Sequence, residues 1–132
     1  MQRSPRIGES IELNYNVGPE HTIDFAEPPM PALLSTPQLI GFLERTARML
    51  LVPMLDDVES NVGVHVDIEH IAGALPGAVV TCLARVVLVD RKQITFKVEA
   101  REGDRVLATG LHRRRVVNRE RLAERLARDT GR

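Results

Sequence analysis

The chain is poor in aromatics and nearly free of cysteine. Aromatics make up 3% of its 132 residues, with no Trp, one Tyr and three Phe. Val, Leu, Ile and Ala must therefore fill the core. The basic segment from Arg113 onward holds no aromatic, so it lacks the base-stacking surface of a nucleic-acid binder. The lone cysteine, Cys82, excludes an internal disulfide and fits a reducing compartment. The most apolar run, Met49 to Leu55, falls far short of the ~20 residues that span a bilayer. The opening MQRSPRIGESIEL has no apolar stretch of the signal-peptide kind. No phosphate-binding glycine loop and no zinc spacing occur. A soluble, cytoplasmic protein is expected, without a metal or redox cofactor and without a nucleic-acid or membrane partner.

What is present is ordinary in amount but uneven in place. Apolar residues make up 43% and charged residues 27%, a globular balance. The length suits one domain with one core, residues 1–132. Net charge is zero overall, yet eight Arg and three acids follow from Arg113, a surplus of +5 against −5 before it. That basic end, residues 118–132 above all, suits an anionic ligand such as a nucleotide phosphate, or simply a solvated helix and tail.

The periodicity reads as strand, long helix, four strands. In Glu9 to Val17, Ile11, Leu13, Tyr15 and Val17 alternate with polar residues, the pattern of a half-buried strand. Residues 18–35 hold four of the eight prolines and read as a semi-rigid, lid-like loop. Thr36-Pro37 is a helix start, with Thr36 as the capping hydroxyl and proline at the first helical position. The helix should run to about Leu55, with an end or bend near Pro53, and its apolar residues cover most of its circumference. Strand-like stretches follow at Asn61–Ile71, Ala78–Val89, Gln93–Arg101 and Arg105–Val117, separated by turn signals, which predicts an antiparallel meander. Asn118 then caps a short polar helix. A sheet wrapped on one buried helix satisfies both apolar surfaces, so the fold class is α+β.

Three polar groups lie in or beside these apolar elements. His70 shares strand parity with Val62, Val64, Val66 and Ile68, which turns its imidazole toward the helix. As a structural residue it would bond a backbone carbonyl at the strand end. Glu44 lies at the edge of the helix's sparse polar stripe, beside Ile40, Ala47 and Leu51. It is a candidate base or nucleophile, or half of an ion pair with Arg48 four residues on. Thr36 offers a hydroxyl at a helix N-terminus, where negative charge is favoured. On an ideal helix Thr36 and Glu44 are ~12 Å apart in rise, so they do not hydrogen-bond directly. His65, Asp67 and Glu69 alternate with the apolar set and read as a solvated face, not a metal site.

The order Thr36, Glu44 in an apolar helix, NVGVHVDIEHIAGALPG and REGDRVLATGLHRRRVV resembles the fluoroacetyl-CoA thioesterase type of hotdog-fold protein. The N-terminal RIGES is also similar. The resemblance implies a hotdog fold, a sheet wrapped around a central helix, with a homodimer as the usual minimum assembly. It implies hydrolysis of an acyl-CoA to carboxylic acid and free CoA. Thr36, Glu44 and His70 match the active-site hydroxyl, helix carboxylate and strand histidine. Gly63 matches a glycine near the thioester, and Arg114 an arginine close to the site, where it or Arg113 or Arg115 would meet CoA phosphates. The loop at 18–35 is shorter than the fluoroacetyl-specific lid and offers only Phe25 and Met30, so another short or medium acyl group is expected. A non-catalytic acyl-CoA-binding hotdog would instead show the Glu44–Arg48 pair, and an enoyl-CoA hydratase would need an Asp/His loop pair not found in the chain.

Overall fold

The alternation of Ile11, Leu13 and Tyr15 between exposed polar neighbours forms strand β1, Ser10–Asn16, in the computed structural model, which describes residues 1–131. Helix α1 spans Thr36–Leu51, and a 3-10 turn at Val52–Met54 follows it. Pro53 has no N–H to extend the α-helical ladder, which accounts for the change. Strands β2 (Glu59–His70), β3 (Val79–Asp90), β4 (Gln93–Glu102) and β5 (Arg105–Asn118) follow. Helix α2, Arg119–Thr130, starts where the Asn118 side chain accepts from the N–H groups of Glu120 and Arg121.

The five strands make one antiparallel sheet in the order β1-β3-β4-β5-β2, the hotdog arrangement. The expected meander holds for β3, β4 and β5 only. β2 crosses to the far edge and pairs with β5 instead of β3. The segment joining β2 to β3, Ile71 to Ala78, is too long for a tight hairpin and leaves β2 free to cross.

One broad face of α1, with Leu39, Phe42, Leu43, Ala47, Leu50 and Leu51, is buried on the sheet. The opposing strands supply Val80, Cys82, Ala84, Val86, Ile94, Phe96 and Val98. The helix keeps one open side: Arg45 and Arg48 are exposed, and Met49 is 39% exposed. Two of the four aromatics meet where α1 packs on β1. Tyr15 stacks on Phe42 at 4.6 Å between centroids, and its hydroxyl lies 3.1 Å from that of Thr46. Such a stack contributes ~0.5–1.5 kcal/mol beyond burial.

The register of β2 against β5 shifts between Gly63 and His65. Gly63 pairs with Arg114, His65 with Arg113, and Val66 with His112, so Val64 is the extra residue of a β-bulge. The buried side chains of β5 that face α1 are Ala108, His112, Arg114 and Val116. Their β2 partners are His70, Val66, Gly63 and Asn61. Even numbers therefore face the helix after the bulge, as expected for His70, and odd numbers face it before. Val62, placed by parity on the helix face, is turned away.

Gly110 of β5 pairs with Ile68 of β2. A Cβ built there would sit 2.0 Å from the Asp67 carbonyl oxygen and 2.9 Å from the Ile68 Cα, both backbone atoms. Gly110→Ala is expected to lower unfolding free energy in urea by about 1–3 kcal/mol, the cost of forced overpacking. Amide exchange should accelerate in β2 before β3 and β4. An unchanged unfolding curve would contradict this packing.

Candidate active site

The side chain of Ser35, not Thr36, caps α1, accepting from the Gln38 N–H at 3.3 Å. Thr36 is the first helical residue, which corrects the expected cap assignment and frees its hydroxyl. That hydroxyl lies 2.8 Å from His70 Nδ1, at the end of β2. An N-terminal helical turn and the last residue of a strand are thus joined across 34 positions of sequence. Thr36 borders a cavity of about 540 Å³ whose other walls come from the proline-rich loop, including Ile23 and Phe25.

Glu44 sits elsewhere, on the open side of α1. Its Oε2 lies 3.6 Å from Nη1 of Arg114. Arg48, the alternative partner from helix spacing, instead directs Nη1 at the Met49 sulfur, 3.8 Å away. Gly63 lies directly against the carboxylate: a Cβ at Gly63 would be 2.6 Å from Glu44 Oε2. Glu44 and Arg114 border a second cavity of about 550 Å³ with Leu13, Tyr15 and Gly41.

Arg114 is 5% exposed. It donates from Nε to Asn61 Oδ1 and from Nη2 to the Asn61 carbonyl. Nη1 lies 3.2 Å from His112 Nε2. A guanidinium so enclosed does not reach out to phosphates, which corrects that expectation. Burial pulls its pKa below the usual value, while Glu44 opposes the shift. Burial also holds His112 below the ordinary imidazole value of 6.5, with a hydrogen bond to the His65 carbonyl acting the other way and Arg114 adding to the depression. The buried Cys82 thiol is pushed up to about 12 by desolvation and is no nucleophile.

The five expected residues thus form two groups: Thr36 with His70, and Glu44 with Gly63 and Arg114. Within one chain the groups do not meet. Gly63 and His70 are ~20 Å apart along β2 at about 3.3 Å per residue. His112 and Asn61 were missed. The phase of His112 and Arg114 with Ala108 and Val116 in β5 could have revealed the first. Asn61 is in phase with Gly63 only when the bulge is known. Among the described residues no cluster of three His, Cys, Asp or Glu could hold a metal ion.

The family model described as fluoroacetyl-CoA-specific thioesterase matches residues 17–120. The fluoroacetyl-CoA thioesterase of Streptantibioticus cattleyicolor is 26% identical over 129 residues, covering 92% of this chain and 91% of that protein. A mutant of the fluoroacetyl-CoA-specific thioesterase, solved in complex with fluoroacetate and CoA, superposes with a TM-score of 0.82 at 26% identity, over 89% of this chain and 99% of that one. A thioesterase superfamily member from Thermus thermophilus superposes at 0.87 with 25% identity, over 98% and 96%.

Two substitutions separate capping from chemistry at the start of α1. Ser35→Ala should cost about 1 kcal/mol of stability through loss of the cap. Thr36→Ala should hold stability within about 0.5 kcal/mol and lower kcat by roughly 10–100-fold through lost positioning. Urea melts and thiol-release assays check both, and the reverse pattern would restore Thr36 as a mere cap. His112 gives a pH signature. Its folded pKa is depressed, so the unfolded chain takes up the proton first as pH falls. The stability it contributes is complete above pH 6.5 and lost below it as pH falls toward the folded value. Between about pH 8 and about pH 5, wild type should therefore lose more stability than His112→Gln, which has no proton to take up. Parallel losses in urea unfolding would contradict a buried neutral His112.

Proposed function

This chain belongs to the fluoroacetyl-CoA-specific thioesterase family and hydrolyses acyl-CoA thioesters, and from that premise we propose that Thr36, Glu44 and His70 perform the hydrolysis of a short or medium acyl-CoA to carboxylic acid and free CoA. The observation that carries the assignment is the 2.8 Å contact between the Thr36 hydroxyl and His70 Nδ1. With the hydroxyl donating to Nδ1, the imidazole proton resides on Nε2 and is available to a leaving group. The Glu44 carboxylate takes a proton from the water that adds to the thioester carbonyl carbon, or it adds there itself and water then cleaves the resulting anhydride, which releases the acid and restores the carboxylate and the imidazole proton. As the C–S bond breaks, the electron pair stays on sulfur, and His70 supplies the proton that makes the free thiol. Thr36, in the first turn of α1, orients the imidazole, its one hydroxyl proton being committed to Nδ1. The dipole of α1 favours the developing oxyanion there.

The separation of the two groups within one chain makes a homodimer part of this proposal. β2 is an edge strand, and Val62, Val64 and Val66 on it are 37%, 45% and 39% exposed. An unpaired, apolar edge is a template for another strand. Antiparallel pairing of two β2 strands about an axis beside Val66 sets Gly63 of one copy opposite His70 of the other. Glu44 of one copy then meets the Thr36–His70 pair of the second. The loop cavity supports a short or medium acyl chain rather than fluoroacetyl. Its walls are contributed in part by the exposed Phe25. With Arg114 enclosed, the groove bordered by Lys92, Arg115, Arg121, Arg125 and Arg128 supports the phosphate contact. No described helix is long and apolar enough to cross a membrane, and we place the enzyme in the cytoplasm.

Free-thiol release across a panel of acyl-CoAs tests the activity, with Glu44→Gln and His70→Ala each expected to lose roughly 10²–10⁴ in kcat. Mixing the two inactive variants tests the shared site. A heterodimer of the two chains retains one site with both side chains intact, so activity should return on mixing and subunit exchange. Full turnover in both single variants sinks the residue assignment. No recovery from a mixture shown by mass to contain heterodimers sinks the shared site, as does a strict monomer in solution.

A further inference from the structure

We propose that His112 and Asn61 are positioning residues for the thioesterase reaction, acting on Glu44 through Arg114. The proposal rests on Glu44 being the catalytic carboxylate. The His112 tautomer is forced: Nδ1 lies 2.8 Å from the His65 carbonyl oxygen, which only accepts, so Nδ1 carries the proton. Nε2 then presents a bare lone pair to Arg114 Nη1 at 3.2 Å. Asn61 holds the far side of the guanidinium twice, accepting Nε at its side chain and Nη2 at its carbonyl. Three fixed contacts define the plane of a rigid fork. The fork directs Nη1 at Glu44 Oε2 from 3.6 Å, within ion-pairing range and beyond a hydrogen bond.

That distance matters chemically. The guanidinium holds the carboxylate in place without occupying its lone pairs, which stay free for a carbonyl carbon or a water. Asn61 is strained for satisfaction by the same duty. Its Oδ1 must face Arg114 Nε, so the amide does not flip, and its buried Nδ2 has no hydrogen-bond partner among the described residues. Asn61 is 3% and His112 1% exposed. A site selected for stability alone would replace a buried cation and an orphan amide with apolar side chains.

The test uses the full chain and thiol release from an acyl-CoA turned over by wild type. His112→Phe keeps ring bulk and removes both nitrogens, whereas His112→Gln offers one N–H to His65 and one carbonyl to Arg114. We expect His112→Phe to lower kcat by roughly 10–100-fold with KM within about threefold, and His112→Gln to recover most of it. In an Arg114→Met background, His112→Phe should cost nothing further, because the two act as one unit. Melting curves normalise for folded fraction. Nitrogen chemical shifts of His112 in unmutated protein give a readout independent of folding: Nδ1 protonated and Nε2 bare is expected, and the opposite tautomer overturns the proposal. Wild-type kcat in His112→Phe, or an undiminished penalty in the Arg114→Met background, also overturns it. Full turnover in Glu44→Gln overturns this proposal and the Glu44 assignment together, whereas loss in Glu44→Gln with wild-type turnover in His112→Phe overturns this proposal alone.

Discussion

Gly63 and His70 are an odd number of residues apart on one strand, yet both face α1. Strict alternation forbids that, because odd separations point to opposite sides of a sheet. The bulge at Val64 supplies the one extra residue that reconciles them. Much of the site follows from it. Without the bulge, keeping His70 inward would turn Gly63 and Asn61 outward. The Glu44 carboxylate would then meet a side chain where it now meets a glycine. Asn61 would leave Arg114, and the guanidinium would lose two of its three fixed contacts. The bulge is thus the constraint that lets one edge strand serve both clusters.

The second constraint is a buried charge. Removing a guanidinium from water costs several kcal/mol before compensation. Arg114 recovers part of this through Asn61 and His112, and part through the half-exposed Glu44. The balance explains why His112 stays neutral. A second cation at 3.2 Å would repel Arg114 and leave it one acceptor short. It also explains Gly63 without appeal to backbone conformation, since the requirement there is space beside Oε2.

Much of the fold could be read from periodicity, because β1, β3 and β4 alternate between a more covered and a less covered face. The alternation of Ile11, Leu13 and Tyr15, the Asn118 cap and the ends of α1 all follow local rules that packing did not override. The crossing of β2 to β5 was not legible, since strand order depends on contacts between distant segments, and a run of strands alone suggests neighbours. Helix spacing favoured Glu44 with Arg48, yet the carboxylate turned to Arg114, a residue 70 positions away whose own strand face was readable but whose partner was not. Ser35 and Thr36 are both good capping residues, and only the observed hydrogen bonds decide between them. His70 faced inward as parity required, but for a strand whose phase reverses at Val64 that agreement held only on the far side of the bulge.

The two clusters also differ in character in a way that suits divided labour. Thr36, in the first turn of α1, is exposed and borders the loop cavity, and His70, at the end of β2, is half-buried beside it. The Glu44–Arg114 cluster is anchored in the sheet by Arg114, Asn61 and His112, side chains nearly closed to water. Eight residues of helix separate Thr36 from Glu44, a rise of ~12 Å. A thioester carbonyl is far smaller than that gap. The two groups are thus separate within one chain, and both reach the edge strand β2, through Gly63 and His70. The fold builds each group from direct contacts that a single copy satisfies, and sets both on a strand at the edge of the sheet.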